Sequence, residues 1–337
     1  MKHPANIPCC VCAASDSVLA FEMQYPERNY PGTFVLRRCA GCGLLFNSPR
    51  LLPDELRGLY DRNYYVFDAD PAKELARVPE VFRRTVALVE GRISARNILE
   101  IGCAKGYLLA VLSQLGWATS GIEISSDAAA YARNRFRLPV FSGTVEQFTE
   151  SGERARFPLV IAVDVVEHVP DPRVFVKTVR DLLEEDGVFI IDTPNGAARN
   201  IEVLGERWGG FNPYHIFLFS AGNLCRLLEG VGFTVEKAFS YGNWRADPAP
   251  ELGRMIGGRE RLRRVLLCLG LYRPSRHLFR QAKRIAAREK SLDERLRAEA
   301  ISVRDGGDYF SFPDSSGPLA GECAGDNFVV IARRTGE

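Results

Sequence analysis

Long apolar runs are missing from this 337-residue chain. The longest uncharged ones, such as Val265–Tyr272, fall far short of a bilayer span. No apolar leader follows Met1, where the chain reads KHPANIPCC, so no signal peptide is expected. An excess of either charge is missing too: 44 Lys and Arg face 42 Asp and Glu, and a net +2 singles out no class of partner. No internal repeat is found, which excludes repeat architectures. Histidine is scarce, with only His3, His168, His215 and His277, so few imidazoles compete for any proton-transfer role.

What is present is an ordinary globular composition, 46% hydrophobic and 26% charged, with ample residues for a core. Nine cysteines, an odd number without a leader, favour a reducing compartment, and the cytoplasm is the expected location. Four of them form two CxxC pairs, Cys9/Cys12 and Cys39/Cys42. In RCAGCGLLFNSP a glycine follows the second cysteine directly, the shape of a zinc knuckle whose tight turn points both sulfurs at one ion. Two such knuckles satisfy a tetrahedral Zn2+ and hold together a segment too small to build its own core. Four thiolates leave no open position, so the ion is expected to be structural. The competing reading is a pair of redox CxxC motifs or unligated thiols, and Cys10 is an alternative ligand to Cys9.

Strand-like and helix-like runs alternate from residue 97 onward. Strands are expected at 98–101, 118–123, 139–142, 158–166, 187–194, 234–241 and 328–334. Between them helices are expected at Tyr107–Leu115, Ser126–Phe136, Pro172–Leu183 and Ala221–Val231. This order predicts an α/β fold, a doubly wound and mostly parallel sheet whose ligand sits at the carboxyl ends of the strands. The domain reading is a zinc module over 1–50, a helical linker or lid over 51–92, a cofactor domain over 93–242, a basic helical insertion over 243–326 and a last strand in 327–337. Within the insertion, residues 254–304 hold 15 Lys and Arg against 5 Asp and Glu.

The stretch ILEIGCAKGYLL (98–109) carries the cofactor signal. A dinucleotide turn needs G-x-G-x-x-G, but here the last glycine arrives one residue early. A P-loop needs its lysine after the second glycine, whereas Lys105 precedes Gly106. Glu100 repels a pyrophosphate but suits a cationic amino-acid ligand. Glu123 ends the second strand 21 residues after Gly102, the distance expected for an acid gripping ribose hydroxyls.

E-x-G-C-A-x-G resembles the first motif of class I S-adenosylmethionine-dependent methyltransferases, normally [D/E]-x-G-x-G-x-G. AVDVVEHVPDP (162–172), IIDTPNG (190–196) and PYHIFLFSAGNLCRLLEGVGF (213–233) are similar to later segments of its small-molecule members, in order. The N-terminal two-CxxC module also occurs in that group. The resemblance implies a Rossmann-like seven-stranded sheet with helices on both faces, preceded by a zinc-ribbon-like module and interrupted by the insertion before the last strand. It also implies that Gly102, Cys103, Ala104, Gly106 and Tyr107 form the cofactor turn, that Glu100 serves the methionine end, and that Glu123 with Ile124 serves the ribose side. Glu146 is expected beside the adenine, and Asp164 with Val165 at the end of the fourth strand beneath the sulfonium. Ala104 departs from the usual glycine; its φ is expected to be negative. Cys103 has a second reading as a small space-filling residue.

Methyl transfer from a sulfonium is an in-line displacement with an already activated donor. The enzyme aligns the nucleophile and, for an alcohol, phenol or acidic carbon, removes a proton. His168, at the carboxyl end of the fourth strand, and His215, in FNPYHIF, are the candidate bases. Each also has a structural reading, His168 as cap of the next helix and His215 as a pin for its loop; His277 is read as a surface residue. The [D/N]-P-P-[Y/F] motif of amino-directed nucleic-acid methyltransferases is missing, since DVVEH stands there. The expected function is therefore methylation of oxygen or carbon on a small molecule such as a sugar or secondary metabolite. Carrier or nucleotide linkage and homo-oligomerisation stay open, and nucleic acid is not an expected partner. The alternatives are an RNA methyltransferase, whose basic insertion binds phosphates, and a non-enzymatic zinc-bearing scaffold for an acidic partner. A plain helical lid or dimer surface is the simplest role for the insertion itself.

Overall fold

Three short strands follow the first knuckle and frame the second: β1 (Ser17–Gln24), β2 (Thr33–Cys39) and β3 (Leu45–Asn47). They pair antiparallel in sequence order, with Leu36, Leu45, Met23 and Phe34 buried on one side. The computed structural model describes residues 8–24, 33–50, 55, 85–86, 88–90, 96–152, 155–241 and 323–336. Most of the expected linker 51–92, the insertion up to residue 322, His3 and His277 lie outside the described residues. Of the linker, residues 85–86 and 88–90 are helical, with Val86 and Val89 fully buried.

The main sheet is built from β4 (Asn97–Ile101), β5 (Ala118–Glu123), β6 (Val140–Ser142), β7 (Phe157–Val163) and β8 (Leu183–Pro194), followed by β10 (Phe233–Tyr241) and β11 (Asn327–Arg334). Between β8 and β10 stands the two-residue β9 (Phe217–Leu218), which belongs to the other sheet. The seven-stranded order is β10-β11-β8-β7-β4-β5-β6. Strands β8, β7, β4, β5 and β6 are mutually parallel, and β11 runs antiparallel to both β8 and β10. This is the mostly parallel seven-stranded sheet expected. Its order reverses at β4, with β5 on one side and β7 on the other, so a crevice opens outside the carboxyl ends of these strands.

Alternation along each central strand sends side chains to two cores. Leu99, Val160, Phe189, Ile191 and Val330 face one core; Ile98, Leu159, Ile161, Ile190 and Val329 face the other. Helices α1 (Tyr107–Gln114) and α2 (Ser126–Phe136) cover the second face. The first face is covered by α4 (Pro172–Leu182) and α6 (Ala221–Glu229); the short α3 (Val145–Glu150) precedes α4, and the short α5 (Arg199–Leu204) lies between α4 and α6 in sequence. Most helix starts are set by sequence. Ser125, Asp171 and Ser220 accept backbone N–H bonds at the starts of α2, α4 and α6, and Pro172 occupies the first turn of α4. Helix α1 differs: it follows Gly106, at the end of the turn after β4, with no capping side chain. No helix among the described residues is long and apolar enough to cross a membrane.

The N-terminal strands do not stand apart from the main sheet. β9 adds to their edge, pairing Leu45 with Leu218 and Phe46 with Phe217. Val11, Leu44 and Phe46 are buried in the same core as α4 and α6. Asn223 Nδ2 of α6 donates to the Cys42 carbonyl at 3.0 Å.

Candidate active site

The turn after β4 winds through three left-handed residues, Gly102 (φ 74°), Ala104 (φ 49°) and Gly106 (φ 76°). The expected negative φ at Ala104 is corrected. Alanine in this region costs about 1–2 kcal/mol. The strain is offset locally, because the Ala104 N–H donates to Glu123 Oε2 at 2.8 Å. The glycines answer to close packing as well as conformation. A Cβ on Gly102 would lie 2.5 Å from Val165 Cγ2, and one on Gly106 would press on Leu138 and Ala132. The turn of β4 thus sits directly against the turn after β7.

Two carboxylates converge behind this turn. Glu123, 2% exposed, ties the exits of β4 and β5 together, since its Oε1 accepts from Ser125 N–H at 2.7 Å while Oε2 holds Ala104. Glu100, 5% exposed, has no hydrogen-bond partner for Oε2 among the described residues. Burial, reinforced by repulsion from Glu123, pushes the Glu100 carboxyl up to about 8. A cation brought to this place would relieve both. Cys103 packs under Gly121, whose missing side chain makes the room, and burial raises its thiol well above the ordinary range. This is the space-filling arrangement and not that of a reactive thiolate. The Tyr107 ring packs on Tyr131 and Phe136 of α2, so Tyr107 offers the turn its backbone and not its ring. Ile124 is 39% exposed beside Glu123, and Glu146 is half-buried in the first turn of α3.

Strand β7 ends at Val163, so Asp164 and Val165 stand in the following turn, with Asp164 at φ 52°. Asp164 is exposed yet crowded by protein at longer range. That crowding pushes its carboxyl up, a rise moderated by its direct access to water. Just beyond, Glu167 is fully buried: Thr193 Oγ1 donates to its Oε2 at 2.8 Å, while Oε1 has no hydrogen-bond partner among the described residues. His168 Nε2 lies 3.7 Å from that Oε1. The rings of His168 and His215 meet edge to face, with centroids 4.8 Å apart. The structure therefore brings both candidate bases into one cluster. Neither caps a helix, because Asp171 caps α4. Both tie down the loop before β9: His168 Nδ1 bonds to the Tyr214 carbonyl at 2.9 Å and His215 Nδ1 to the Gly210 carbonyl at 2.7 Å. Carbonyls only accept, so each Nδ1 carries the proton and each basic lone pair resides on Nε2. Burial lowers His168 to about 3, with His215 adding to the effect, and lowers His215 to about 4. Both rings are neutral at ordinary pH.

Cys9, Cys12, Cys39 and Cys42 place their sulfurs within 4.8 Å of one another. The cross-knuckle contacts are 3.6 Å for Cys9–Cys42 and 3.5 Å for Cys12–Cys39. A tetrahedron of sulfurs about 2.3 Å from a zinc ion has edges of about 3.8 Å, whereas a disulfide would need about 2.05 Å. The knuckles match bond for bond: Cys9 N–H reaches Ala14 O and Ala13 N–H returns to Cys9 O, as Cys39 N–H reaches Leu44 O and Gly43 N–H returns to Cys39 O. Cys10 stands outside the quartet.

Residues 66–238, just over half of the chain, match a family profile described as a methyltransferase domain. The chain belongs to that family, the class I S-adenosylmethionine-dependent methyltransferases. A probable S-adenosylmethionine-dependent methyltransferase of Mycolicibacterium smegmatis is 30% identical over 146 residues, 43% of this chain and 54% of that one. A ubiquinone biosynthesis O-methyltransferase of Glaesserella parasuis is 31% identical over 112 residues, 31% of this chain and 48% of that one. The chain thus spans about half the length of the curated relatives it matches. A solved SAM-dependent methyltransferase of Archaeoglobus fulgidus superposes at a TM-score of 0.45 with 17% identity, covering 80% of this chain and 96% of that one.

Within this methyltransferase fold, two site residues escaped the sequence. Glu167 completes the histidine cluster; its signal was a charged residue inside an apolar strand exit, DVVEHV. Asn47, buried in the N-terminal module, donates from Nδ2 to the carbonyls of Pro213 and His215 at 3.2 and 2.9 Å. Nothing local in FNSP marks that role.

Proposed function

We propose that the chain transfers a methyl group from S-adenosylmethionine to an oxygen of a small-molecule acceptor. The observation that carries this reading is the buried pair Glu100 and Glu123 behind the β4 turn, with Glu100 Oε2 unpartnered among the described residues. Such a place suits a cation that also offers hydroxyls. Glu100 would hold the donor's ammonium, and the uncapped start of α1 its carboxylate. Glu123 would take the ribose hydroxyls. Ile124 would give the adenine an apolar face, with Glu146 beside it, and Asp164 and Val165 would underlie the reacting centre. When bound, the donor supplies a methyl group already activated on a sulfonium.

The chain's own task is to align the acceptor and remove its proton. The Glu167–His168–His215 cluster stands at the carboxyl end of β7, where the acceptor must approach, and its imidazoles are neutral. Relatives named for O-methylation favour oxygen over carbon as the accepting atom. The four cysteines are proposed to hold a structural zinc ion, supported by their near-tetrahedral spacing.

Calorimetric titration with S-adenosylmethionine tests the reading, followed by transfer of labelled methyl into a metabolite extract. Binding with transfer is expected; a folded chain that binds neither the donor nor S-adenosylhomocysteine would overturn it.

A further inference from the structure

We propose that Glu167, His168 and His215 form a second metal site, a two-histidine, one-carboxylate face for a divalent ion that takes nitrogen and oxygen ligands. The proposal rests on the methyl-transfer reading only for the ion's role and not for its binding.

Three observations converge. One ligand atom from each residue lies within 4.8 Å of the others, and Glu167 Oε1 is 3.7 Å from His168 Nε2. Ligands about 2.1 Å from an ion and at octahedral or tetrahedral angles stand about 3.0–3.4 Å apart, so side-chain rotations of about an ångström close the site. Both imidazoles donate Nδ1–H to a backbone carbonyl, at 2.9 and 2.7 Å. That outer-shell bond fixes the tautomer and aims Nε2 in metal-binding histidines. Finally, Glu167 Oε1 is fully buried and has no hydrogen-bond partner among the described residues, a carboxyl oxygen that a bound cation would satisfy. The enclosure is one-sided, because the histidines are only partly buried while Glu167 is sealed. Three protein ligands with an accessible side leave positions for a substrate oxygen, unlike the closed four-cysteine site.

Bound there, the ion would acidify the acceptor hydroxyl; its proton would pass to water, since imidazoles whose Nε2 holds the ion no longer serve as bases. The oxygen's electron pair then forms the O–C bond as the S–C bond breaks, and neutral S-adenosylhomocysteine leaves.

The test uses the full chain with its cysteine site loaded with zinc, titrated with Mn2+, a poor thiolate partner, while the free-ion electron paramagnetic resonance signal is followed. One Mn2+ per chain is expected. Glu167→Gln and His215→Gln should each weaken it by more than the roughly 10–100-fold that losing an outer-shell partner costs. Circular dichroism and S-adenosylmethionine calorimetry on the same samples report folding and donor binding. A wild-type chain that binds donor but neither Mn2+ nor a second equivalent of Zn2+ overturns the metal site and leaves methyl transfer standing. Folded variants that bind Mn2+ as the wild type does overturn it equally. A chain that binds Mn2+ but no donor keeps the site and overturns the function.

Discussion

Asn47 Nδ2 donates to the backbone carbonyl of His215 at 2.9 Å, across 168 residues of chain. The bond links the last strand of the N-terminal sheet to the loop that carries one wall of the candidate active site. Asn47 N–H also donates to the Ile216 carbonyl, and β3 pairs antiparallel with β9. Replacing Asn47 by alanine leaves two buried carbonyls unpaired, at about 1–3 kcal/mol each. The expected result is a folded Asn47→Ala chain whose turnover drops about 10- to 100-fold, since small displacements of aligned groups cost that much. Donor affinity, measured by calorimetry, should stay within about twofold, because the β4 turn is not involved.

Removing the proposed zinc ion should act along the same route. The cysteine quartet holds β2 and the knuckles in place, and β9 depends on that sheet for its pairing. A chelator strong enough to strip the ion, or Cys39→Ser, is expected to abolish methyl transfer and lower thermal stability. Intrinsic donor binding should outlast turnover over the course of chelation. Loss of both in one step would mean that the module supports the whole sheet and not the acceptor side alone.

The fold was legible where local pattern and global fold agree. Residues 98–109 place β4, its turn and α1 within a residue of expectation, because an apolar strand, a glycine pair and a helical run each carry their own signal. The near-continuous apolar runs ILEI and PLVIAV likewise announce parallel strands buried on both faces. Two features were not legible. β9 is two residues long, and its partners stand at Leu45 and Phe46, so no periodicity could reveal it. Ala104 told of space and not of dihedral angle: a small side chain fits a close approach whatever its φ, and the hydrogen bond to Glu123 that holds the turn is a tertiary contact.

Ala104→Gly follows from that correction. It removes about 1–2 kcal/mol of left-handed strain and adds about 0.4–1 kcal/mol of unfolded-state freedom. A net gain of about 0.5–1 kcal/mol in denaturant unfolding is expected, with donor affinity unchanged. Ala104→Val, whose branched side chain is far worse at φ 49°, should destabilise the chain and weaken donor binding together.

Glu100 gives the empty protein a specific dependence on pH. Its carboxyl is raised from 4.5 to about 8 by burial and by Glu123, so the folded chain holds a proton that the unfolded chain has released across that window. Stability therefore falls as pH rises from about 4.5 to about 8, and the loss is complete above the folded value. Glu100→Gln should flatten this part of the profile in thermal melts. The proposed ammonium of the donor favours the ionised carboxylate, so binding below pH 8 must expel the proton. Donor affinity should then rise with pH up to about 8, and titrations in buffers of different ionisation enthalpy should show close to one proton released per donor near pH 6. A heat of binding independent of buffer would place the ammonium elsewhere.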